Sequence, residues 1–493
     1  MPRLTIKNIL WLALALRVIS AIFSRGYGWY DDHFGVIELA QSWIDGINGA
    51  ELLPNASGVQ NDVRQLSLFY PGIHYLLFKM MNFCSIDNPQ TKMLLVRLLH
   101  ALYSLLVVYY GYKITKKLSD EKCALYVGLL LAALWFMPNL SIRNLIEMVC
   151  VPPLLIGCWW LMKEDDGWRK FFIAGFIAAF AFSIRYQSAL FIGGMGLVLL
   201  LDRKWKGTVL FGLGVVLNVL LFQGITDYIF WGYPLAKFIA YVKYNSVYKD
   251  AFTTGYWFNY ILLVGGMLIP PLGIMLWYGY FRDIRKHLIL FLPSFIFLAF
   301  HCYFQNKQER FILPFIPFFI ILGSLGWYNF QKSSPYWNRH SLLMKNMMLF
   351  VVIINCILLS VFTVASTKTS KMDSMSYIRS RGDVKAYIVE ATDQSSWEQF
   401  PHFYLGKNCE EYILKSDYSA AQLKNDLQHT YEQPNYVIFL SNTGLDNRVA
   451  TFKGSFSNIQ YLTTVRPSFI DRLFYWLNPI NRNTECYIYK IES

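Results

Sequence analysis

Two adjacent carboxylates, Asp31 and Asp32, stand in the stretch W-Y-D-D-H-F-G from Trp29 to Gly35, just beyond the first apolar run. At a membrane surface such a carboxylate has the chemistry of a general base, taking a proton from a hydroxyl of a substrate held partly in lipid. The same pair also fits a solvated loop that caps the helix after it. His33 beside them reads as a structural hydrogen-bonder or as part of a site, and no companion histidines point to a metal. Four further places concentrate polar groups where a membrane disfavours them: Arg143, Asn144 and Glu147; Arg185; Tyr244 and Asn245; and Lys307, Glu309 and Arg310. Charged side chains near a bilayer that no basic loop explains are functional candidates. Plainer readings stand beside them. Arg143 and Glu147 have the i,i+4 spacing of an ion pair, Arg185 fits a cap between two short helices, and Lys307 to Arg310 fit interface anchors.

The elements that must carry these residues are membrane helices. Of 493 residues, 55% are hydrophobic, 17% aromatic and only 16% charged, which is too apolar for a soluble protein and describes a polytopic membrane protein. The excess of 45 Lys and Arg over 32 Asp and Glu falls in small clusters between apolar runs, as in cytoplasmic loops, and not in a nucleic-acid-binding surface. A span needs about 20 mainly apolar residues. That rule predicts about eleven helices, near 8–25, 92–113, 122–138, 144–162, 168–184, 187–201, 207–223, 257–281, 287–303, 310–329 and 345–365. The first follows Arg3 and Lys7 and has no small-x-small cleavage site, so it reads as an uncleaved helix.

With the N-terminus inside, the inward connections should be the basic ones. They carry Lys113, Lys116, Lys117 and Lys122; Lys163, Arg169 and Lys170; Arg203, Lys204 and Lys206; Arg282, Arg285 and Lys286; and Lys332, Arg339 and Lys345. The acidic pair, Arg143, Glu147, Arg185, Tyr244, Asn245 and Lys307 to Arg310 then all fall on the non-cytoplasmic side. The first outer loop, 25–91, holds an amphipathic piece from Leu68 to Met81, including Tyr70 and His74, too short to span and suited to the interface. A second outer loop, 223–256, is aromatic and sparsely charged.

After Ala365 the composition turns polar. Alternating stretches near 386–392, 435–441 and 485–491 predict strands, and with the helical pattern between them a small α/β domain. The expected organisation is therefore a membrane domain over 1–365 and a non-cytoplasmic domain over 366–493. Of eight cysteines, Cys409 and Cys486 lie in this domain and either pair in an oxidising compartment or stay free. No C-x-x-C or zinc spacing occurs, and no P-loop or internal repeat, which argues against an ATP-driven pump. The sequons at Asn55 and Asn139 both fall on the outer side.

An outer-face carboxylate, nearby cations and a lipid-facing groove suit transfer from a lipid-phosphate donor, with the carboxylate as base and Arg or Lys steadying the departing phosphate. Here the residues reach a resemblance. The chain resembles glycosyltransferase family 22, the GT-C mannosyltransferases of GPI-anchor and N-glycan precursor assembly. W-Y-D-D-H-F-G resembles that family's H-P-D-E-x-F-Q; V-R-L-L-H-A from Val96 its P-R-x-x-x-A; R-N-L-I-E-M from Arg143 its T-x-S-N-x-x-E; and I-R-Y-Q-S-A-L its R-P-x-x-A-L. The stretch T-D-Y-I-F-W-G-Y-P through Tyr244-Asn245 to T-G-Y-W-F-N-Y is similar to D-x-x-x-Y-G, then Y-N, then G-x-x-P-W-x-Y-Y. Most specific is N-K-Q-E-R-F-I-L-P-F-I-P, similar to H-K-E-x-R-F-x-x-P-x-x-P. D-Q-S-S-W-E-Q-F-P-H-F-Y echoes the C-terminal region of the GPI-type enzymes. Departures are Trp-Tyr for His-Pro, Asp32 for Glu, Gly35 for Gln and Asn306 for His.

The resemblance implies an α-helical GT-C fold. It implies inverting transfer of mannose from a polyprenyl- or dolichyl-phosphate donor to a glycan or glycolipid, without metal or other cofactor, in the bacterial inner membrane or the endoplasmic reticulum. Asp31 or Asp32 would be the base, Lys307, Arg310, Arg185 and Arg143 would hold the donor phosphate, and His33, Glu147, Tyr244, Asn245 and Glu309 would contact substrate. Two alternatives stay open at this point: a GT-C transferase with another sugar donor or a protein acceptor, and a transporter or flippase of lipid-linked substrates. A flippase needs polar groups along a whole path, whereas these lie at one face.

Overall fold

The computed structural model describes residues 4–46, 66–164, 167–248, 254–393, 399–428, 432–456, 458–478 and 483–492. Among them the chain is mostly helical, with one five-stranded sheet near its end. Five helices are long and apolar enough to cross a membrane: Ile6–Phe23, Pro89–Leu118, Trp205–Trp231, Ile284–Tyr303 and Ser341–Phe362. Two shorter apolar helices cover Ile146–Leu161 and Tyr186–Leu201.

The other expected spans fall outside these five, and two of them differ from their expected bounds for local reasons. The run expected over 257–281 is split into Asn259–Met267 and Leu272–Tyr280 at Pro270-Pro271, because proline lacks the N–H that continues a helix. The run expected from 144 starts only at Ile146, with Arg143 and Asn144 outside regular helix. The i,i+4 reading of Arg143 and Glu147 therefore loses the shared helix that it requires. The amphipathic piece is the helix Phe69–Phe83, and the stretch expected as a loop over 223–256 instead begins in helix, Ile225–Trp231 continuing the apolar run from Trp205, before the helix Ala236–Val247. The sequon at Asn55 lies outside the described residues, whereas Asn139 Nδ2 donates to the Phe362 carbonyl at 2.9 Å.

The chain forms two compact units: Met1–Ile22, Asn48–Ile73 and Val96–Val364 in the first, and Phe23–Ile47, His74–Leu95 and Ala365–Ser493 in the second. In the first, small residues let helix backbones meet. A Cβ on Gly175 would overlap the Phe211 carbonyl and one on Gly214 the Phe172 carbonyl, which ties Trp168–Ile184 to Trp205–Val219. Gly279 and Gly326 do the same between Leu272–Tyr280 and Phe315–Ser333. Arg17, fully buried in the first helix, donates from Nε to Ser104 Oγ at 2.9 Å. Its other nitrogens donate to the Ala132 and Leu131 carbonyls, both at 3.1 Å, at the end of Glu121–Ala133. These are carbonyls that a helix terminus cannot satisfy itself.

The second unit is built on strands β1 (Ala386–Glu390), β2 (Glu410–Leu414), β3 (Pro434–Leu440), β4 (Ile459–Val465) and β5 (Cys486–Ile491). Their order is β2-β1-β3-β5-β4, with β1 parallel to β2 and β3, and β5 antiparallel to β3 and β4. Ile388, Val437 and Phe439 pack beneath Leu423, Leu427 and Phe452 of two covering helices. Cys409, just before β2, and Cys486, at the start of β5, are buried free thiols, and β1 and β3 lie between those two strands. Burial raises the Cys409 thiol to about 11.

Within the unit, the residues after Phe23 are joined to those from Ala365 on. After Phe23, Ser24 Oγ donates to the Ala365 carbonyl at 2.5 Å, and Thr367 N–H donates to the Arg25 carbonyl at 3.1 Å. Gly26 and Thr367 form a parallel bridge. A side chain on Gly26 would collide with the Thr367 carbonyl, and its φ of +81° is one that glycine adopts without strain.

Candidate functional site

In the second unit the acidic pair sits on a single helical turn, Tyr30–His33, followed by a π-turn, Phe34–Glu38. Asp32 is buried, and its Oδ2 accepts the Trp29 N–H at 3.1 Å. Asp31 is half-exposed. One aspartate thus faces inward to hold the turn while the other lies nearer solvent. His33 is buried between Tyr27 and Tyr404, with ring centroids 4.9 and 5.5 Å away and planes within 17° and 11° of parallel. Its Nε2 lies 3.0 Å from Glu38 Oε1, and the Glu38 carboxylate also accepts the Phe403 N–H at 2.8 and 3.0 Å. The acidic turn is therefore clamped onto the F-P-H-F-Y segment through His33 and Glu38. Glu38 was not singled out in the sequence; its distance of only five residues from His33 is the one signal that points to it.

In the first unit a second cluster forms. Glu147, in the first turn of Ile146–Val149, forms an ion pair from Oε1 with Arg185 Nη1, and Arg310 Nε lies 3.8 Å from the same oxygen. Arg185 stands in extended backbone between Trp168–Ile184 and the turn Tyr186–Ser188, which frees its side chain from either helix face. Arg310 comes from the turn Glu309–Ile312. All three side chains are buried. Two arginines on one carboxylate leave a net cationic centre. Glu147 Oε2, Arg185 Nε and Asn144 Oδ1 are buried without a hydrogen-bond partner among the described residues, so the cluster retains a donor and two acceptors for a ligand. Arg143 is buried in the segment leading into it.

The remaining expected residues have other partners. The Lys307 ammonium donates to the carbonyls of His301 at 2.6 Å, Cys302 at 2.8 Å and Phe304, closing the end of Leu288–Tyr303. An ammonium has three donors, and these three carbonyls engage them. Glu309 is exposed. Tyr244 packs on Tyr248 with centroids 4.7 Å apart, and Asn245 Nδ2 donates to the Tyr241 carbonyl at 2.8 Å. Asp227 stands in the T-D-Y-I-F-W-G-Y-P stretch. It is fully buried, accepting Gln223 Nε2 and the Lys237 N–H at 3.0 Å each, and so fixes the start of Ala236–Val247. Among the described residues no three of His, Cys, Asp and Glu come together as a metal-holding group.

Residues 8–401 match the Alg9-like mannosyltransferase family, which covers most of the chain. The chain belongs to this family. Relatives of this Alg9-like protein include mannosyltransferase APTG1 of Arabidopsis thaliana, 24% identical over 66% of the chain and 60% of that protein. GPI mannosyltransferase 3 of Candida albicans is 26% identical over 54% of the chain and 54% of its own length. The chain thus spans a little over half the length of these relatives. Among solved structures, ArnT from Cupriavidus metallidurans bound to undecaprenyl phosphate has a TM-score of 0.62 at 15% identity over 99% of this chain and 98% of its own. An Archaeoglobus fulgidus oligosaccharyltransferase has a TM-score of 0.53 at 12% identity over 91% of this chain and 70% of its own. These likenesses establish the GT-C fold of the Alg9-like chain.

Proposed function

We propose that the protein transfers a mannosyl residue, with inversion, from a polyprenyl- or dolichyl-phosphate donor to a glycan or glycolipid acceptor. The observation that carries this reading is the family match over residues 8–401. A lipid-phosphate donor is supported by the undecaprenyl phosphate bound to the ArnT neighbour. A carboxylate of the Asp31-Asp32 pair takes the proton of the acceptor hydroxyl as its oxygen bonds to the anomeric carbon. The bond from that carbon to the phosphate oxygen breaks, and the phosphate leaves on its lipid. Arg185, Arg310 and Arg143 steady the charge on that phosphate. Lys307 joins them only by giving up one of its helix-end carbonyls. Glu147 orients the arginines. His33 holds the acidic turn, and Tyr244, Asn245 and Glu309 contact substrate.

In this reading the chain crosses the membrane about eleven times and works on the non-cytoplasmic face of a bacterial inner membrane or the endoplasmic reticulum, with the C-terminal domain on the same side. The five basic loops support that orientation. So does the parallel bridge after Phe23 and Phe362, since two spanning helices whose C-terminal ends are joined leave by one face and make the crossing number odd.

The test is a transfer assay in nanodiscs with lipid-phosphate mannose, nucleotide-linked mannose and other lipid-phosphate sugars as parallel donors. Inverted product from the first alone is expected. Product from the nucleotide sugar overturns the donor class, and lipid-linked sugar moving across vesicles without a new glycosidic bond overturns the enzyme reading.

A further inference from the structure

We propose that the helix Phe469–Leu477 is a membrane-interface anchor of the C-terminal domain, seating its aromatic face in the headgroup region of the bilayer. One side of this nine-residue helix is buried through Ile470 and Asp471. The other carries Phe469 at 66%, Trp476 at 76% and Leu477 at 62% exposure, with Arg472 also exposed. At 3.6 residues per turn, Phe469, Arg472, Leu473 and Trp476 form one stripe. Large apolar side chains gathered on one exposed face mark an interaction surface. Tryptophan beside arginine on that face is the composition of a helix lying in a membrane interface, the ring at headgroup depth and the cation toward phosphate.

What selects a bilayer as the occupant is where the helix is tied. Its N-cap, Ser468, donates from Oγ to the Ser366 carbonyl at 2.6 Å and from its N–H to Thr369 Oγ1 at 2.8 Å. Asp471 accepts the N–H groups of Lys368 at 2.8 Å and Thr369 at 3.2 Å, and Asn483 Nδ2 at 3.0 Å. Ser366 is four residues past Phe362, the end of the most exposed apolar helix, and so within about 14 Å of it along the chain. The same segment pairs with the residues that follow Phe23. The helix is therefore tied, within its own unit, to the segment by which the chain leaves an apolar helix, and that connection keeps it within reach of a bilayer.

The full chain in nanodiscs of phosphatidylcholine and phosphatidylglycerol, lacking its accessible thiols (C84S, C302S and C356S), carries a nitroxide at W476C or, for comparison, at K453C. Power-saturation measurements compare collisions with oxygen and with a water-soluble nickel chelate. The expected result is an oxygen-to-nickel ratio several-fold higher at 476 than at 453. Equal ratios at the two positions overturn the proposal by placing the helix in water. Low collision with both reagents at 476 overturns it in favour of a protein partner or a second copy of this chain.

Discussion

Arg185 Nη1 and Glu147 Oε1 form an ion pair whose side chains are 1% and 2% exposed, with Arg310 Nε 3.8 Å from the same oxygen. Breaking a buried pair from one side leaves an uncompensated charge and costs about 3–5 kcal/mol. E147A should therefore lower the melting temperature in detergent sharply, and E147A/R185A should recover part of the loss. Additive losses in that cycle would deny the coupling.

For the acidic turn the expectation separates activity from stability. D31N and D32N keep side-chain shape, and Asn still offers Oδ1 to the Trp29 N–H that Asp32 now holds. The base is the residue whose Asn variant loses about 10²- to 10⁴-fold in kcat with melting unchanged. D32A, which deletes the acceptor, costs a further ~1 kcal/mol of stability as a lost cap does. Near-normal turnover in both Asn variants would move the base elsewhere.

Lys307 and Arg310 should part company. The carbonyls held by Lys307 make K307A chiefly a stability variant, losing about 1.5–3 kcal/mol for charged hydrogen bonds. R310A should raise the KM for the lipid-phosphate donor by roughly 10- to 150-fold, the same energy read as binding. A donor KM unchanged in R310A but raised in K307A would reverse the two roles.

A pH signature sits at His402, whose Nε2 lies 3.0 Å from Glu411 Oε2 and 2.6 Å from the Tyr387 hydroxyl. Burial pushes its pKa down, but the hydrogen bond and charge of Glu411, aided by Glu38, outweigh it and leave the value raised. A raised histidine contributes stability that is fully present below its ordinary value of about 6.5 and is lost as pH rises through the folded value. Melting curves should show a loss of stability above that value in the wild type and a flatter profile in H402Q. An identical slope in the two proteins would refute the assignment.

How much of this was legible beforehand follows the physics of each element. The expected strands near 386–392, 435–441 and 485–491 are β1, β3 and β5, the three interior strands, whose faces are apolar. The two that escaped, β2 with E-E-Y-I-L and β4 with I-Q-Y-L-T-T-V, are the edges, where charge and polarity blunt the pattern. Among the helices, apolar length found the runs, but the Pro270-Pro271 break and the late start at Ile146 depend on single residues within them. At the site, residue types drew attention to Glu147, Arg185 and Arg310. That one carboxylate receives both arginines was hidden, because no periodicity links three segments so far apart in the chain.

The fastening of Ser24 to Ala365 joins residues 341 positions apart. At a synthesis rate of about 5–20 residues per second, the segment that carries Asp31 and Asp32 waits roughly 20–70 s after emerging for the strand of chain that holds it. Through that interval Tyr404 is also still unmade, so His33 lacks one of its two stacking partners. An acidic turn made among the first residues is thus completed only when the last quarter of the chain arrives, so a ribosome that stalls before residue 365 leaves a chain able to insert in a membrane but without that turn's finished packing.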